Sequence, residues 1–217
     1  MVNIQWKDRY RFTSEAEIKA ILFDFGDVIW NLDHKPLLQA LSAACGKPVD
    51  ELQALVSGHA SLFEDYESGR VDSPRFLAEV SALCGHDFPE PEFIRAFTGI
   101  FTPNGATQDL IRRLKPHYKL GLISNTNPWH YEYAIRRSEV FPLFDSVTLS
   151  FQVGAMKPDP RLFEDALDKL DLMAEECVFV DDQPAFAQAA TDHLLHGIAF
   201  TTPVALMAEL RRLKVAF

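Results

Sequence analysis

The chain has 217 residues, of which 47% are hydrophobic and 24% are charged, and its formal net charge is −10 at pH 7. This length can bury one sizeable core, alone or with an inserted domain. The negative charge argues against nucleic acid or an anionic membrane as a partner. The first 19 residues are polar without a signal-peptide pattern, and no apolar run reaches the ~18 residues that cross a membrane. With three cysteines that lack a disulfide spacing, these features predict a soluble, cytoplasmic protein.

The first predicted element is a short strand over residues 20–23, because so short an apolar run is typical of a strand buried on both faces. Residues 35–102 follow with helical patterns only. Four apolar faces mark four helices, around residues 37–44, 52–56, 76–83 and 93–101. These patterns predict an inserted helical bundle.

Strands and helices alternate from about residue 106 onward. The predicted strands cover residues 119–124, 146–149, 177–182 and 197–200, and the predicted helices lie near 110–114, after 124, and near 161–170, 185–193 and 206–213. Such alternation implies right-handed βαβ units. We therefore predict an α/β fold: a doubly wound, Rossmann-like parallel sheet from residues 1–34 and 103–217, with an α-helical bundle inserted at 35–102.

Carboxylates end two of the predicted strands. Asp24 follows the first strand, and Gly26 comes two residues later. Asp181 and Asp182 end the strand that begins at residue 177. In open α/β sheets, ligands bind at the carboxyl ends of the strands, although a single Asp there is often only a turn former. Two adjacent carboxylates repel each other unless a cation lies beside them, and such oxygen ligands suit Mg²⁺.

Two further segments carry polar groups at the same kind of position. Ser124 ends strand 119–124, and Asn125 begins the turn to the next helix, where a hydroxyl and N–H groups can bind an anion or simply cap the helix. Lys157 precedes Pro158 before another helix, where its charge can hold a phosphoryl oxygen, although most lysines are solvated. For any one of these segments alone, a purely structural role is a sufficient explanation. The four segments together favour a site for a phosphate group and a cation.

In their order and spacing, these residues resemble the haloacid dehalogenase (HAD) superfamily over almost the whole chain from about residue 20. The matches to its four motifs are Asp24-x-Gly26, Ser124-Asn125, Lys157-Pro158 and Asp181-Asp182. The inserted bundle resembles the helical type I cap of subfamily I. The region after the first strand, His130, and Glu67-x-Gly69 in the cap are similar to the branch that contains bacterial glucose-1-phosphate phosphatases.

The resemblance implies a Mg²⁺-dependent phosphatase that acts on a small phosphorylated metabolite such as a sugar-1-phosphate. Asp24 would be the nucleophile and would form an aspartyl-phosphate, with Ser124 and Lys157 also in catalytic roles. The implied phosphate-binding groups are Ser124, Asn125, Lys157 and Gly26. The implied metal ligands are Asp24, Asp181, Asp182 and the Gly26 carbonyl.

Two positions depart from the family pattern. Gly26 stands where most HAD phosphatases carry a second Asp, the general acid for the leaving oxygen, a group worth ~10²–10⁴-fold in rate. The glucose-1-phosphate branch also has Gly there, and Asp27 either replaces the acid or serves only in the turn. Phe186 stands where that branch has Asn or Asp, so one polar partner of the metal is missing and weaker Mg²⁺ binding is expected.

Two other functions remain open at this point. Because of Gly26 and Phe186, one alternative is a protein with the HAD fold that is catalytically weak or silent and that has a binding or regulatory function. A 2-haloacid dehalogenase uses the same nucleophile, but in that branch an arginine lies early in the cap, and no Arg occurs between Asp24 and Arg70.

Several more residues have two explanations each. Trp129 and His130 either contact the substrate or lie on a helix surface. In the cap, the residues that either contact substrate or serve only in packing and solvation are Phe63, Tyr66, Glu67 and Arg70.

Overall fold

The computed structural model describes residues 16–217. The aromatic residues of the N-terminal arm, Trp6, Tyr10 and Phe12, which we expect to pack on the body of the protein, lie outside the described residues. Within them, no helix is both long and apolar enough to span a membrane.

Five parallel strands form the central sheet, in the order β5-β4-β1-β6-β7. The strands are β1 (Ala20–Phe23), β4 (Lys119–Ser124), β5 (Ser146–Leu149), β6 (Cys177–Asp181) and β7 (His196–Ala199); a separate antiparallel ribbon pairs β2 (Trp30–Leu32) with β3 (Phe101–Pro103). Strand β1 is fully buried between β4 and β6, with Phe23 opposite both Leu122 and Val180. The strand ends that carry Asp24, Ser124 and Asp181 therefore meet at one edge of the sheet.

The described helices either cover the faces of this sheet or build a separate bundle. They are α1 (Lys35–Cys45), α2 (Val49–Gly58), α3 (Ala60–Glu67), α4 (Ser73–Cys84), α5 (Glu90–Thr98), α6 (Gly105–Leu114), α7 (Pro128–Tyr133), α8 (Ser150–Val153), α9 (Pro160–Leu170), α10 (Pro184–Asp192) and α11 (Pro203–Arg212). Apolar residues of α6 and α11 pack on one face, and those of α9 and α10 pack on the other. The predicted doubly wound α/β fold is confirmed.

Helices α1–α5 build a bundle with an apolar core of its own. Its buried side chains include Leu52, Tyr66, Phe76, Phe93 and Phe97. The structure has five helices here where the apolar faces predicted four, because the chain breaks at Gly58 and His59 and starts α3. The position of the bundle between β2 and β3 is consistent with the predicted insertion at 35–102, whose division from the core stays a prediction.

The expectation that residues 35–102 carry only helical structure was wrong at the end of this stretch. Phe101, assigned to the fourth helical face, lies in β3, which pairs Asn31 with Thr102 across the ribbon. Strands of three residues are too short to show a period, and their pairing joins distant parts of the chain. The bundle therefore connects to the sheet through a hydrogen-bonded ribbon.

Helix α7 of the sheet domain inserts a side chain into the core of the bundle. The Trp129 ring is 6% exposed, and its centroid lies 5.7 Å from those of Tyr66 and Phe93. Two explanations were offered for Trp129, a contact with substrate and a position on a helix surface. Its burial in the bundle core fits neither of them. Trp129 packs the two parts of the molecule together.

Candidate active site

Lys157 lies between two buried carboxylates. Its Nζ is 2.7 Å from Asp24 Oδ1 and 2.5 Å from Asp181 Oδ2, and its side chain is 1% exposed. The Lys157 backbone is held by the Asn125 side chain, whose Oδ1 accepts the Lys157 N–H at 2.8 Å and whose amide donates to the Lys157 carbonyl at 3.3 Å. Asn125 therefore positions the lysine, a contact that no pattern in the sequence indicated.

The charges of these three groups depend on one another. Burial raises the pKa of Asp24 to about 7; Lys157 opposes this rise and the charge of Asp181 adds to it. Burial alone would lower the pKa of Lys157, but Asp24 and Asp181 outweigh it and the pKa is raised. Lys157 is consequently a firmly protonated ammonium, and the Asp24 carboxylate relies on it for its ionised form.

Asp182 adds a third carboxylate beside this pair. Ligand oxygens of Asp24, Asp181 and Asp182 all lie within 4.8 Å of one another. Burial raises the pKa of Asp182, and the hydrogen bond from Gln183 opposes this rise. Three carboxylates around one ammonium leave a negative balance, and hard oxygen donors of this kind are those that Mg²⁺ prefers. The donor set fits a small divalent cation.

The two members of the acidic pair have different surroundings. Asp181 is fully buried and uses one oxygen for Lys157 and the other to accept the Gln183 N–H at 2.8 Å. Asp182 is half-buried and accepts from the Gln183 side-chain amide at 2.7 Å. Asp182 is therefore the better placed of the two for a metal, while Asp181 holds the lysine.

The turn after β4 differs from its prediction in one respect. Ser124 is 3% exposed at the strand end beside β1. The helix, however, begins at Pro128 and not at Asn125, and Asn127 caps it by accepting the His130 N–H at 2.9 Å. The Thr126 N–H donates to Ser150 Oγ at 2.8 Å. The predicted phosphate contacts of this turn therefore rest on Ser124 and Asn125.

Gly26 and Asp27 form a tight turn below the site. A Cβ built on Gly26 would lie 2.7 Å from Leu32 Cδ1, the movable end of a side chain. Asp27 has a φ of 51°, and its Oδ1 accepts the Leu32 N–H at 2.9 Å. The Asp27 carboxylate thus stabilises the turn. Of its two explanations, replacement of the missing acid or a role only in the turn, this contact favours the second.

Phe186 contacts the central lysine. Its ring centroid lies 5.3 Å from Lys157 Nζ, and that of Phe179 lies 5.5 Å away. Where the glucose-1-phosphate branch has Asn or Asp, Phe186 makes a cation–π contact to the ammonium.

The cap presents one acidic residue to the site. Burial raises the pKa of Glu67 to about 7, with the charge of Asp24 adding to the rise and Lys157 opposing it. The Glu67 carbonyl lies 2.5 Å from Ser150 Oγ. Gly69 follows with a φ of 73°, and a Cβ there would lie 2.4 Å from the Phe151 carbonyl oxygen, so only glycine fits this approach. Glu67-x-Gly69 is one of the places where the cap and the sheet domain touch.

The other cap candidates are structural or line a cavity. Tyr66 is fully buried and stacks on Phe76 at 4.2 Å. Arg70 is exposed and pairs with Asp65 at 2.6 Å. Phe63 is half-buried and lines a cavity of the bundle together with Glu67 and His130.

Comparison with known proteins identifies the family. The model of the haloacid dehalogenase-like hydrolases matches residues 18–193. The chain belongs to this family, and the predicted superfamily and enzyme class are confirmed.

Several named relatives are phosphatases. The chain is 31% identical to D-ribitol-5-phosphate phosphatase of Bacteroides thetaiotaomicron, over 76% of this chain and 83% of the relative. It is 30% identical to glyceraldehyde 3-phosphate phosphatase of Pyrococcus abyssi, over 76% and 74%. It is 26% identical to a sesquiterpene phosphatase of Aspergillus oryzae, over 90% and 96%.

Solved structures agree with the fold. A HAD-like family hydrolase from Porphyromonas gingivalis is 27% identical, with a TM-score of 0.76 over 91% of this chain and 99% of that one. A HAD family enzyme from Bacteroides thetaiotaomicron in complex with magnesium and inorganic phosphate has a TM-score of 0.71 at 22% identity, over 82% and 91%.

Proposed function

We propose that the protein is a Mg²⁺-dependent phosphatase that hydrolyses a small phosphorylated metabolite through an aspartyl-phosphate on Asp24. The observation that carries the proposal is the buried Lys157 ammonium between the Asp24 and Asp181 carboxylates, with Asp182 beside them. A nucleophilic carboxylate, a fixed cation and a divalent-metal site are what phosphoryl transfer requires.

The chain's own groups would divide the work as follows. An Asp24 oxygen attacks phosphorus, and the bond from phosphorus to the ester oxygen breaks, so the alkoxide or phenoxide leaves and takes a proton from water. Water then hydrolyses the aspartyl-phosphate, which releases phosphate and restores the Asp24 carboxylate. Ser124 and the Asn125 N–H would bind the transferring oxygens, and Lys157 would neutralise them.

A metal at the carboxylates would add a second source of positive charge. Asp24, Asp182 and the Gly26 carbonyl would hold Mg²⁺, which when bound would neutralise the phosphoryl oxygens. Asp181 would take part mainly through Lys157.

The relatives' names leave the substrate open, because they include a polyol phosphate, a triose phosphate and a terpenoid phosphate. The sugar-1-phosphate suggested by the sequence resemblance therefore belongs in the substrate panel as one prediction among these classes.

The test is phosphate release from acetyl phosphate, aryl phosphates and sugar phosphates, with Mg²⁺ and with a chelator. We expect metal-dependent turnover that Asp24→Asn lowers by at least about 10³-fold, because the nucleophile is lost. The control Asp50→Asn changes an exposed Asp of α2 and should keep wild-type rates. Equal activity of Asp24→Asn would contradict the proposal. No turnover of any ester would favour the silent binding fold, and halide release from a 2-haloacid would favour the dehalogenase.

A further inference from the structure

A cavity of about 300 Å³ lies among helices α1 to α5 of the bundle. Its walls are mainly apolar, and they include Leu37, Leu41, Leu52, Leu55, Phe93 and Phe97. Native interiors pack closely and have few voids larger than a water molecule. The space opens partly to solvent and is large enough to hold a ligand.

The cavity offers few polar partners to a ligand. Besides His130, its polar lining residues are His34, Gln53 and Ser57, which are exposed, and Glu67, which is half-buried. His130 lines it too, but its Nε2 lies 3.1 Å from the Phe97 carbonyl and its Nδ1 lies 3.0 Å from the Asn127 amide, so both nitrogens are already bonded. Hydroxyl groups of a polyol placed among these walls would lose their hydrogen bonds to water without replacement.

The cavity wall is joined to the loop that follows strand β4. Glu67 lines the cavity, and its carbonyl lies 2.5 Å from Ser150 Oγ. The same Ser150 oxygen accepts the Thr126 N–H at 2.8 Å, two residues after Ser124. Glu67 also lies within electrostatic reach of Asp24 and Lys157. Glu67 is therefore the residue that the cavity wall shares with the surroundings of the proposed phosphate site.

The volume sets the size of the ligand. A cavity of about 150 Å³ lined by Leu, Ile and Phe binds benzene, so a space of about twice that volume holds roughly ten to twelve carbon atoms.

We propose that this cavity binds the alcohol portion of the substrate, and that the substrate is a phosphate monoester of an apolar alcohol of about ten to twelve carbons. This inference rests on the proposed phosphatase function, which places the phosphate at Asp24. It favours an apolar ester over the sugar-1-phosphate of the sequence resemblance.

The first test compares substrates that differ in apolar size or polarity but have similar leaving groups. In the presence of Mg²⁺, 2-naphthyl phosphate should exceed phenyl phosphate in kcat/KM by about tenfold or more, because four further carbons are buried. For the same reason n-octyl phosphate should exceed glucitol 6-phosphate, another primary alkyl ester. A preference for glucitol 6-phosphate, or equal values within each pair, would overturn the proposal.

Two variants locate the effect in the cavity. Leu55→Trp fills the cavity and should bring the naphthyl-to-phenyl ratio of kcat/KM toward one. Leu77→Trp is the matched control, because Leu77 is half-buried in the same bundle core but is not among the cavity walls, and it should keep the wild-type ratio. Should Leu55→Trp fail to fold, the wild-type substrate pairs still decide. An unchanged ratio in folded Leu55→Trp would contradict the assignment.

A binding measurement separates this inference from the proposed catalysis. Calorimetric titration of the Mg²⁺-loaded protein with 2-naphthylmethylphosphonate and with methylphosphonate needs no turnover. Binding of the naphthyl compound at least tenfold tighter supports the cavity even if acetyl phosphate is not hydrolysed, in which case only the proposed function fails. Equal affinities, with acetyl phosphate hydrolysed, would overturn the cavity proposal and leave the phosphatase proposal standing.

Discussion

At the scale of single residues, Lys157 sets how much negative charge the site can hold. One buried ammonium contacts two carboxylates, and a third carboxylate lies beside them. Removing one partner of a buried ion pair leaves an uncompensated charge, which costs far more than the pair itself contributes. The carboxylates are suited to receive a cation, and the ammonium is suited to receive a phosphate dianion. The cation would make the net charge of the site more positive, and the dianion would make it more negative.

Gly26 leads to a prediction about leaving groups. Without an acid at this position, aryl and acyl phosphates should be hydrolysed faster than alkyl phosphates by ~10²–10⁴-fold, because a basic alkoxide needs a proton to leave. Gly26→Asp should raise kcat/KM for alkyl esters more than for aryl esters, provided that Leu32 moves to make room.

The control for this prediction is Gly26→Ala, which brings the same contact with Leu32 but no acid. It should leave the aryl-to-alkyl ratio unchanged. Equal kcat/KM for aryl and alkyl esters in the wild type, with chemistry shown to limit the rate, would refute the idea.

Phe186 leads to a prediction about the metal. Phe186→Asn exchanges the ring beside Lys157 for a polar side chain, and we expect Mg²⁺ to bind about tenfold more tightly, because outer partners of a metal typically contribute 10–100-fold. The measurement is the Mg²⁺ concentration at half-maximal turnover. Ala185→Asn, the exposed neighbour in α10, should not change it. Weaker or unchanged Mg²⁺ binding in Phe186→Asn would count against a role of this position at the metal.

At the scale of elements, His130 joins α7 to α5. Asn127 donates to His130 Nδ1, so Nε2 carries the proton and donates to the Phe97 carbonyl at 3.1 Å. The His130 ring also stacks on Phe97 at 4.3 Å. This contact between the sheet domain and the cap is made by a neutral imidazole, because burial lowers the pKa of His130 to about 4.

The lowered pKa predicts how stability depends on pH. Between about pH 6.5 and 4 the unfolded chain binds a proton at this histidine that the folded protein does not, so the free energy of unfolding falls as the pH falls through this window. Above pH 6.5 this histidine is neutral in both the folded and the unfolded state, so it no longer makes the free energy of unfolding depend on pH. The expected loss is on the order of 3 kcal/mol.

Urea unfolding of wild type and His130→Phe at pH 7 and pH 4 checks this expectation. The variant keeps an aromatic ring but has no titrating group, and its loss of stability should be smaller by that amount. His117→Phe, at an exposed site, should behave as wild type. An identical pH dependence in His130→Phe would show that the imidazole is not held neutral.

At the scale of the whole molecule, the cap is docked and not merely tethered. We predict from the sequence that it hinges at residues 31–36 and 102–106 to admit substrate and exclude water. The structure adds two constraints to such a motion. The hinge segments include the paired strands β2 and β3, and opening must withdraw Trp129 from the aromatic core of the cap.

Trp129 therefore leads to a prediction about cap docking. Trp129→Ala should lower the free energy of unfolding by about 3–5 kcal/mol. It should also speed amide hydrogen exchange in α3 and α5 more than in β1 and β4, because the cap loses its anchor. Tyr133→Ala, on the same helix but 39% exposed, is the control and should change neither strongly. Equal loss of protection in both parts of the molecule would mean that the cap does not open separately.

Local sequence patterns were enough to predict the parallel sheet and the edge where its strand-end polar residues meet. Buried parallel strands leave continuous apolar runs, and Asp24, Ser124 and Asp181 end such runs, so their meeting at one sheet edge follows from a local pattern. Fold class and family were predictable for the same reason. The start of helix α9 at Pro160 was placed to within a residue, because caps and prolines act locally.

Only the tertiary structure decided how the remaining residues act. The Asn125 clamp on Lys157, the approach of Glu67 to Asp24, the insertion of Trp129 into the cap and the β2–β3 ribbon all join segments that lie far apart in the chain. Such contacts depend on the direction in which each side chain leaves its element and on how two surfaces pack. A periodic pattern shows which face of a helix is apolar, but it does not show which surface that face packs against. The cavity in the cap is a result of how the five helices pack, because their apolar faces leave a space between them.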